Sequence, residues 1–204
     1  MLDTKTRERV EEERFKCMCA QRLHVRALEK LNNKILFVDA LALIVPVLYF
    51  PFRYITKGTI YNFQVEAIWE ILAGCLIGFT IWKFLAGWQE RFRSHGKLLG
   101  ENVALVRQAV DILNDATATP ESAQAFLALT GRSEAADLEL LRKPNEIDRQ
   151  GAYREALKEL GGTAATCPVC HLSPWKFSWR VFGRGSCDAC GNAPTKDKSH
   201  AKEN

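Results

Sequence analysis

Residues 35–52 read ILFVDALALIVPVLYFPF, and residues 67–87 read AIWEILAGCLIGFTIWKFLAG. A helix needs about 20 apolar residues to cross the ~30 Å hydrocarbon core of a bilayer, and each segment is close to that length. The stretch between them, residues 53–66, contains enough polar side chains to form a turn. The two segments therefore predict a transmembrane helical hairpin.

Buried helices of a soluble core are the alternative, because Asp39, Glu70 and Lys83 interrupt the apolar segments. Each charge lies about one turn inside a predicted helix end, where its side chain can reach the membrane interface or another charge. A soluble core helix also normally carries a polar stripe, which residues 41–52 lack. These features favour the membrane hairpin.

Asp39 and Lys83 are expected to form an intramembrane charge pair. In an antiparallel hairpin both residues lie at a similar depth, near the same side of the membrane. Pairing would neutralise two charges that are costly in hydrocarbon, although each side chain alone can also extend to water. Both outcomes are open from the sequence.

Gly74 and Gly78 form a GxxxG step in the second apolar segment. Glycines at this spacing allow another helix to approach closely, and packing has to drive helix association in lipid. The step predicts helix association, either between copies of the chain or within one hairpin.

Lysine and arginine residues predict the orientation of the hairpin, because short loops rich in these residues stay in the cytoplasm. The loop between the apolar segments has only Arg53 and Lys57. The flanking regions carry Arg14, Lys16, Arg22, Arg26, Lys30 and Lys34 on one side and Arg91, Arg93 and Lys97 on the other. Both termini should therefore face the cytoplasm.

The remaining chain is predicted to be mostly helical. Residues 1–116 are expected to form a stalk in which both apolar helices continue outside the membrane. An apolar seam of 4-3-4-3 spacing should pack within the chain, at Leu99, Val103, Val106, Val110 and Leu113. Residues 117–162 form short helices docked on the stalk, one from Thr119 to Gly131 and one over residues 145–160. Residues 194–204 have the composition of a disordered tail.

Four of the seven cysteines are arranged as Cys167-Pro-Val-Cys170 and Cys187-Asp-Ala-Cys190, with sixteen residues between the pairs. Two cysteines three residues apart in a tight turn direct both sulfurs at one ion, so two such turns complete a tetrahedron. The spacing predicts a small zinc ribbon over residues 163–193, with Zn²⁺ bound by the four thiolates. Disulfides are the alternative, but a cytoplasmic location argues against them.

The alternating residues from Trp175 to Val181 predict a strand with one apolar face, followed by a turn at residues 183–185. Its aromatic side chains are interpreted as the ribbon's own core. Base stacking is the other reading, but a net charge of +4 is too modest to indicate a nucleic-acid partner.

No enzyme motif is present, and four thiolates leave no coordination position for a substrate. The sequence therefore predicts that the protein is not an enzyme. His24 and His95 are interpreted as plain surface residues, because neither has a partner at metal or catalytic spacing. Cys17 and Cys19 make a poor metal pair because they lie on different faces of one helix.

A two-span hairpin between long cytoplasmic helices resembles the SLATT family of bacterial membrane proteins. The added CPVC and CDAC pair resembles small two-span proteins with paired CxxC motifs from mobile elements, although the gap here is longer. The SLATT resemblance implies an inner-membrane effector of bacterial conflict that assembles and permeabilises the membrane. It also implies control by a nucleotide-based signal.

Two functions follow from these expectations. The first is an oligomeric inner-membrane effector in anti-phage or mobile-element conflict, whose partners are itself, membrane lipid and a nucleotide or protein trigger. The second is a membrane-anchored adaptor whose zinc ribbon binds a protein or a nucleic acid.

Overall fold

A computed structural model describes residues 2–56, 63–142, 144–175 and 187–192, and every regular element within these ranges is helical. The elements are α1 (Thr4–Thr56), α2 (Phe63–Leu85), α3 (Trp88–Asn114), α4 (Pro120–Leu141), α5 (Glu146–Gly161) and a 3₁₀ turn (Gly162–Ala164). The predicted strand beyond Trp175, the turn at residues 183–185 and the tail at residues 194–204 lie outside the described residues, as does the centre of the loop between α1 and α2.

Three predicted helix ends are present with the expected capping chemistry. The Thr119 side chain accepts a hydrogen bond from the Ser122 amide, and Pro120 occupies the first turn of α4. Asn145 caps α5 in the same way through the amide of Ile147. Helix α5 ends at Gly161, as its glycine pair predicts.

Two predicted boundaries are wrong. Helix α4 does not stop at Gly131 but continues to Leu141. One interior glycine costs only about 1 kcal/mol, and Ser133 and Asp137 beyond it are buried. Conversely, the second apolar helix does not run on without a break. Ala86 and Gly87 interrupt it, and Gly87 has φ +61°, a left-handed conformation that glycine adopts without strain.

The chain divides into two compact units, which we call the terminal unit (Met1–Arg26 with Gly96–Asn204) and the apolar unit (Ala27–His95). In the terminal unit, α1, α3 and α4 share one hydrophobic core around the fully buried Phe126. The core is formed by Val10, Cys17, Leu105, Ala109, Ile112, Ala118, Ala123 and Phe126.

The buried stripe of α3 is displaced by one residue from the predicted seam. Its buried positions in the terminal unit are Leu98, Asn102, Leu105, Ala109 and Ile112, while Val106 and Leu113 are only partly buried beside them. A seam chosen from large apolar side chains alone omits Asn102, which is polar, and Ala109, which is small. The observed buried stripe of α3 packs within the chain, because it shares a core with Val10 and Cys17 of α1.

A polar network explains why Asn102 is buried. Its side-chain Nδ2 donates to Leu98 O at 3.1 Å and to Asp137 Oδ2 at 3.0 Å. His24 Nε2 lies 2.7 Å from Asp137 Oδ1, and His24 is fully buried. His95, in the apolar unit, is also buried. The interpretation of His24 and His95 as surface residues is therefore wrong. Burial with satisfied partners is tolerated, whereas burial without them is costly.

In the apolar unit, α1 and α2 lie antiparallel. Lys83 Nζ donates to Asp39 Oδ1, and the rings of Tyr49 and Trp69 meet edge to face with centroids 5.5 Å apart. Among the residues that the structure describes, two helices are long and apolar enough to cross a membrane. In the most apolar 18-residue stretch of each helix, 6 % of the residues are buried in the first helix and 0 % in the second. The core helix of a soluble protein would be mostly buried.

Truncation of the central aromatic side chain of the terminal unit should destabilise it strongly. Phe126→Ala is expected to lower the free energy of unfolding by about 3–5 kcal/mol, because it leaves a cavity in a closed core. The matched control on α4 is Leu138→Ala, where the side chain is 64 % exposed and the expected change is below about 1 kcal/mol. Denaturant unfolding of the full chain in detergent measures both, and equal effects would contradict this packing.

Candidate metal centre

The structure brings the four predicted cysteine ligands together. All four Sγ atoms lie within 4.8 Å of one another. Cys167 and Cys187 are 3.9 Å apart at sulfur, and Cys170 and Cys190 are 3.5 Å apart. All seven cysteines of the chain are free thiols. Four soft sulfur donors converging on one point can hold a metal ion.

The two cysteine turns have the same hydrogen-bond pattern. The amide of His171 donates to Cys167 O at 2.7 Å, and the amide of Gly191 donates to Cys187 O at 2.7 Å. In return, the amides of Cys167 and Cys187 donate to the carbonyls of the residues five positions later, both at 3.0 Å. Each turn therefore closes on itself and orients its two sulfurs without help from the other.

The residue after each turn has a left-handed backbone, with φ 59° at His171 and φ 69° at Gly191. The sequence departs from the usual glycine at the first position, yet the structure gives His171 the same conformation as Gly191. This is uncommon for a residue with a side chain and costs of order 1 kcal/mol. The turn's two hydrogen bonds hold the backbone there.

Burial sets the protonation behaviour of the sulfurs. It raises the pKa of the Cys190 thiol and of the Cys170 thiol. At Cys187 burial also acts to raise the pKa, but hydrogen bonds from the amides of Cys190 and Ala189 outweigh it and leave the pKa below its usual value. A bound cation would favour the thiolate form of every ligand, so metal binding would release protons.

Helix α5 supplies the hydrophobic support of the centre. Leu157 is buried against Cys167, Cys187 and Cys190, and Tyr153 and Phe15 pack at the edge of this cluster. Burial, with added repulsion from Cys167 and neighbouring thiolates, raises the pKa of Tyr153 to about 12.

Sequence reasoning missed several polar residues that contact the second cysteine turn. The Asn192 amide lies 3.5 Å from Cys190 Sγ, and its side chain donates to Ser173 O at 3.3 Å. Arg149 and Arg154 of α5 donate to backbone carbonyls of the same turn. No motif marks the two arginines, because they lie about 35 residues away in sequence.

The remaining cysteines do not join the centre. Burial raises the pKa of Cys17 and of Cys19 to about 12, so both stay protonated at neutral pH. Cys17 belongs to the core of the terminal unit. Cys75 is exposed on α2. That Cys17 and Cys19 make a poor metal pair stays a prediction.

The other predicted site residues lie in the apolar unit. Asp39 and Lys83 are brought into a hydrogen-bonded ion pair. Gly74 and Gly78 lie one turn apart on α2, and a Cβ atom added at either would meet no atom within 4 Å. Within the described residues, neither glycine is therefore a site of close helix contact.

The comparison with protein families gives one match, to the family described as "Mobilome CxxCx(11)CxxC protein", over residues 7–193. No curated protein and no solved structure matches the chain. The match supports the resemblance to mobile-element proteins with paired CxxC motifs, whereas the SLATT resemblance stays a prediction. The spacer here has sixteen residues in place of the eleven in the family description. Since the match covers most of its length, the chain belongs to the mobilome CxxCx(11)CxxC family.

Proposed function

We propose that the chain is an oligomeric effector in the bacterial inner membrane, encoded by a mobile element, with a structural zinc centre. The observation that supports the membrane location is the exposure of the two long apolar helices. The family's association with mobile elements supports a role in conflict between such elements, phages and their hosts. The proposal includes no catalytic role.

The metal of the proposed centre is Zn²⁺. Zinc bound by four thiolates has Zn–S bonds of about 2.3 Å, and tetrahedral geometry then separates the sulfurs by ~3.8 Å. The observed separations of 3.9 Å and 3.5 Å are close to that value. Four thiolates also complete the coordination sphere, so the ion would stabilise the small module and would not act on a substrate.

The zinc proposal predicts about one zinc per chain in protein purified from membranes, measured by elemental analysis. Cys190→Ser should lose most of this zinc, because it removes one of four ligands. The matched control is Cys75→Ser, which changes a cysteine far from the centre in sequence and should retain the metal. Iron in place of zinc, or equal zinc in both variants, would contradict the proposal.

The apolar unit is proposed to span the membrane with both termini in the cytoplasm. Hydrocarbon would cover the exposed apolar residues of α1 and α2, which water would otherwise contact. The distribution of lysine and arginine supports this orientation, since the loop side carries far fewer of them. The Asp39–Lys83 ion pair would lie near the cytoplasmic side, where pairing reduces the cost of both charges.

A charge-removal series tests the ion pair in the membrane. Asp39→Leu should reduce the amount of chain in the membrane fraction, because Lys83 then lies unpaired in an apolar environment. Adding Lys83→Leu should restore that amount, since it removes the isolated charge. Quantitative immunoblotting of membrane fractions measures both. If Asp39→Leu has no effect, or if the double variant accumulates no better, the pair does not matter for insertion.

Association between hairpins is proposed to use the Gly74–Gly78 face. The open space next to both glycines supports this choice over packing within one hairpin. Packing drives helix association in lipid, so unfilled space along α2 favours contact with a second copy.

Overexpression in bacteria should arrest growth if the chain is a membrane effector. Gly78→Leu is expected to relieve the arrest, because the larger side chain prevents close helix approach. The matched control is Leu72→Phe, which adds bulk at an exposed position away from the glycine face of the same helix and should stay toxic. Growth curves, with immunoblots to verify equal expression, measure the difference. Equal toxicity of the two variants would contradict a role for the glycine face.

An adaptor function is the second candidate, favoured by exposed apolar side chains at the metal module. Val169 is 63 % exposed and Trp175 is 52 % exposed. Apolar residues of this kind can form the centre of a protein-binding surface. Normal growth on overexpression, together with capture of a partner that Trp175→Ala abolishes, would favour the adaptor over the effector.

A further inference from the structure

Helix α5 lies between the cysteine centre and helix α1. On one face, Leu157 joins the buried cluster of cysteines. On the other, the Tyr153 ring packs edge to face on Phe15 of α1, with centroids 5.1 Å apart and planes at 88°. The described part of α5 therefore contacts both the proposed metal site and the long helix that continues into the apolar unit.

The contacts of α5 with α1 are polar as well as aromatic. Arg22 of α1 donates to Glu159 at 2.6 Å. Arg26 donates to Glu155 at 2.7 Å and to the Asp148 carbonyl at 3.0 Å. The guanidinium of Arg26 also lies over Gly151, where any side chain would overlap it. These contacts define one specific docking position of α5 on α1.

Side chains of α5 contact the backbone of the second cysteine turn. Arg149 donates to Asp188 O at 3.2 Å, and Arg154 donates to Cys190 O. Gly191 lies against the Gln150 side chain so closely that a Cβ atom would overlap it. The turn that supplies two of the four ligands is thus held by residues 149–154 of α5, a stretch of less than about two helical turns.

Burial distinguishes Arg154 from Arg149, the other arginine at this turn, because Arg149 is exposed and Arg154 is half-buried. Four thiolates around one divalent cation carry a net charge of −2, which needs compensation in a half-buried site. Arg154 is a half-buried cation beside Cys190, and its guanidinium donates to the Cys190 carbonyl. A cation that is partly removed from water here is favoured by a negatively charged centre.

We infer that Arg154 is a positioning residue for the metal centre, and that metal binding, acting through Arg154, fixes the docking position of α5 on α1. The inference rests on the proposed zinc site. In the loaded centre, the negative charge retains Arg154, the second cysteine turn stays attached to α5, and the Phe15, Arg22 and Arg26 contacts persist. Loss of the metal lets the thiolates take up protons, which removes the negative charge, and it breaks the link between the two cysteine turns, so α5 loosens from α1.

Zinc release from the full chain in detergent tests the positioning role. Arg154→Ala should accelerate transfer of zinc to the chromogenic chelator 4-(2-pyridylazo)resorcinol by about 10-fold or more, as loss of an outer-shell partner typically does. Arg154→Lys should recover part of the difference, because it restores the charge without the planar donor group. The matched control is Arg132→Ala, which removes an exposed arginine of α4 and should release zinc at the wild-type rate.

Hydrogen exchange on the unmodified chain tests the coupling and needs no variant to fold. Chelation of zinc should increase amide exchange in residues 146–161 and in residues 15–26, while the core around residues 105–112 keeps its protection. A chain that purifies without zinc contradicts the proposed zinc centre and this inference with it. A zinc-loaded chain whose α5 exchange is unchanged by chelation, or whose Arg154→Ala variant releases zinc at the wild-type rate, overturns this inference alone.

Discussion

The convergence of four cysteine sulfurs is the constraint on which the C-terminal third of the structure depends. Within the part of this module that the structure describes, the buried cluster consists of Cys167, Cys187 and Cys190 together with Leu157 of α5. A structural zinc ion contributes on the order of 10 kcal/mol of folding free energy to a module of this kind. The ion would link the two cysteine turns to each other, and Arg149 and Arg154 attach the second turn to α5.

Features that depend on local chemistry were predictable from the sequence. The cysteine turns, the Thr119–Pro120 helix start and the Gly161 helix end all follow from hydrogen bonds between residues a few positions apart. The apolar segments were equally clear, because length and hydrophobicity alone identify them. Each of these signals is contained in a short stretch of chain, and no knowledge of the tertiary fold is needed to interpret it.

Features that depend on distant partners were not predictable. The seam of α3 was placed one residue off because Asn102 is buried, and its burial is explained only by Asp137, 35 residues away. The same carboxylate accounts for the burial of His24, which hydropathy would place at the surface. The arginines that hold the second cysteine turn have no sequence signature either, because surface and buried arginines look alike in one sequence.

The longer spacer between the cysteine pairs is compatible with the convergence of the four sulfurs, because each pair is oriented by its own turn. The hydrogen bonds that close the first turn lie within residues 167–172, and those of the second within residues 187–192. The spacer therefore only has to bring two preformed halves together. By loop-closure entropy alone, lengthening a closed loop from eleven to sixteen residues costs only about 0.3 kcal/mol. That cost is small against the contribution of a bound metal, so spacer length can vary while the four-sulfur geometry is kept.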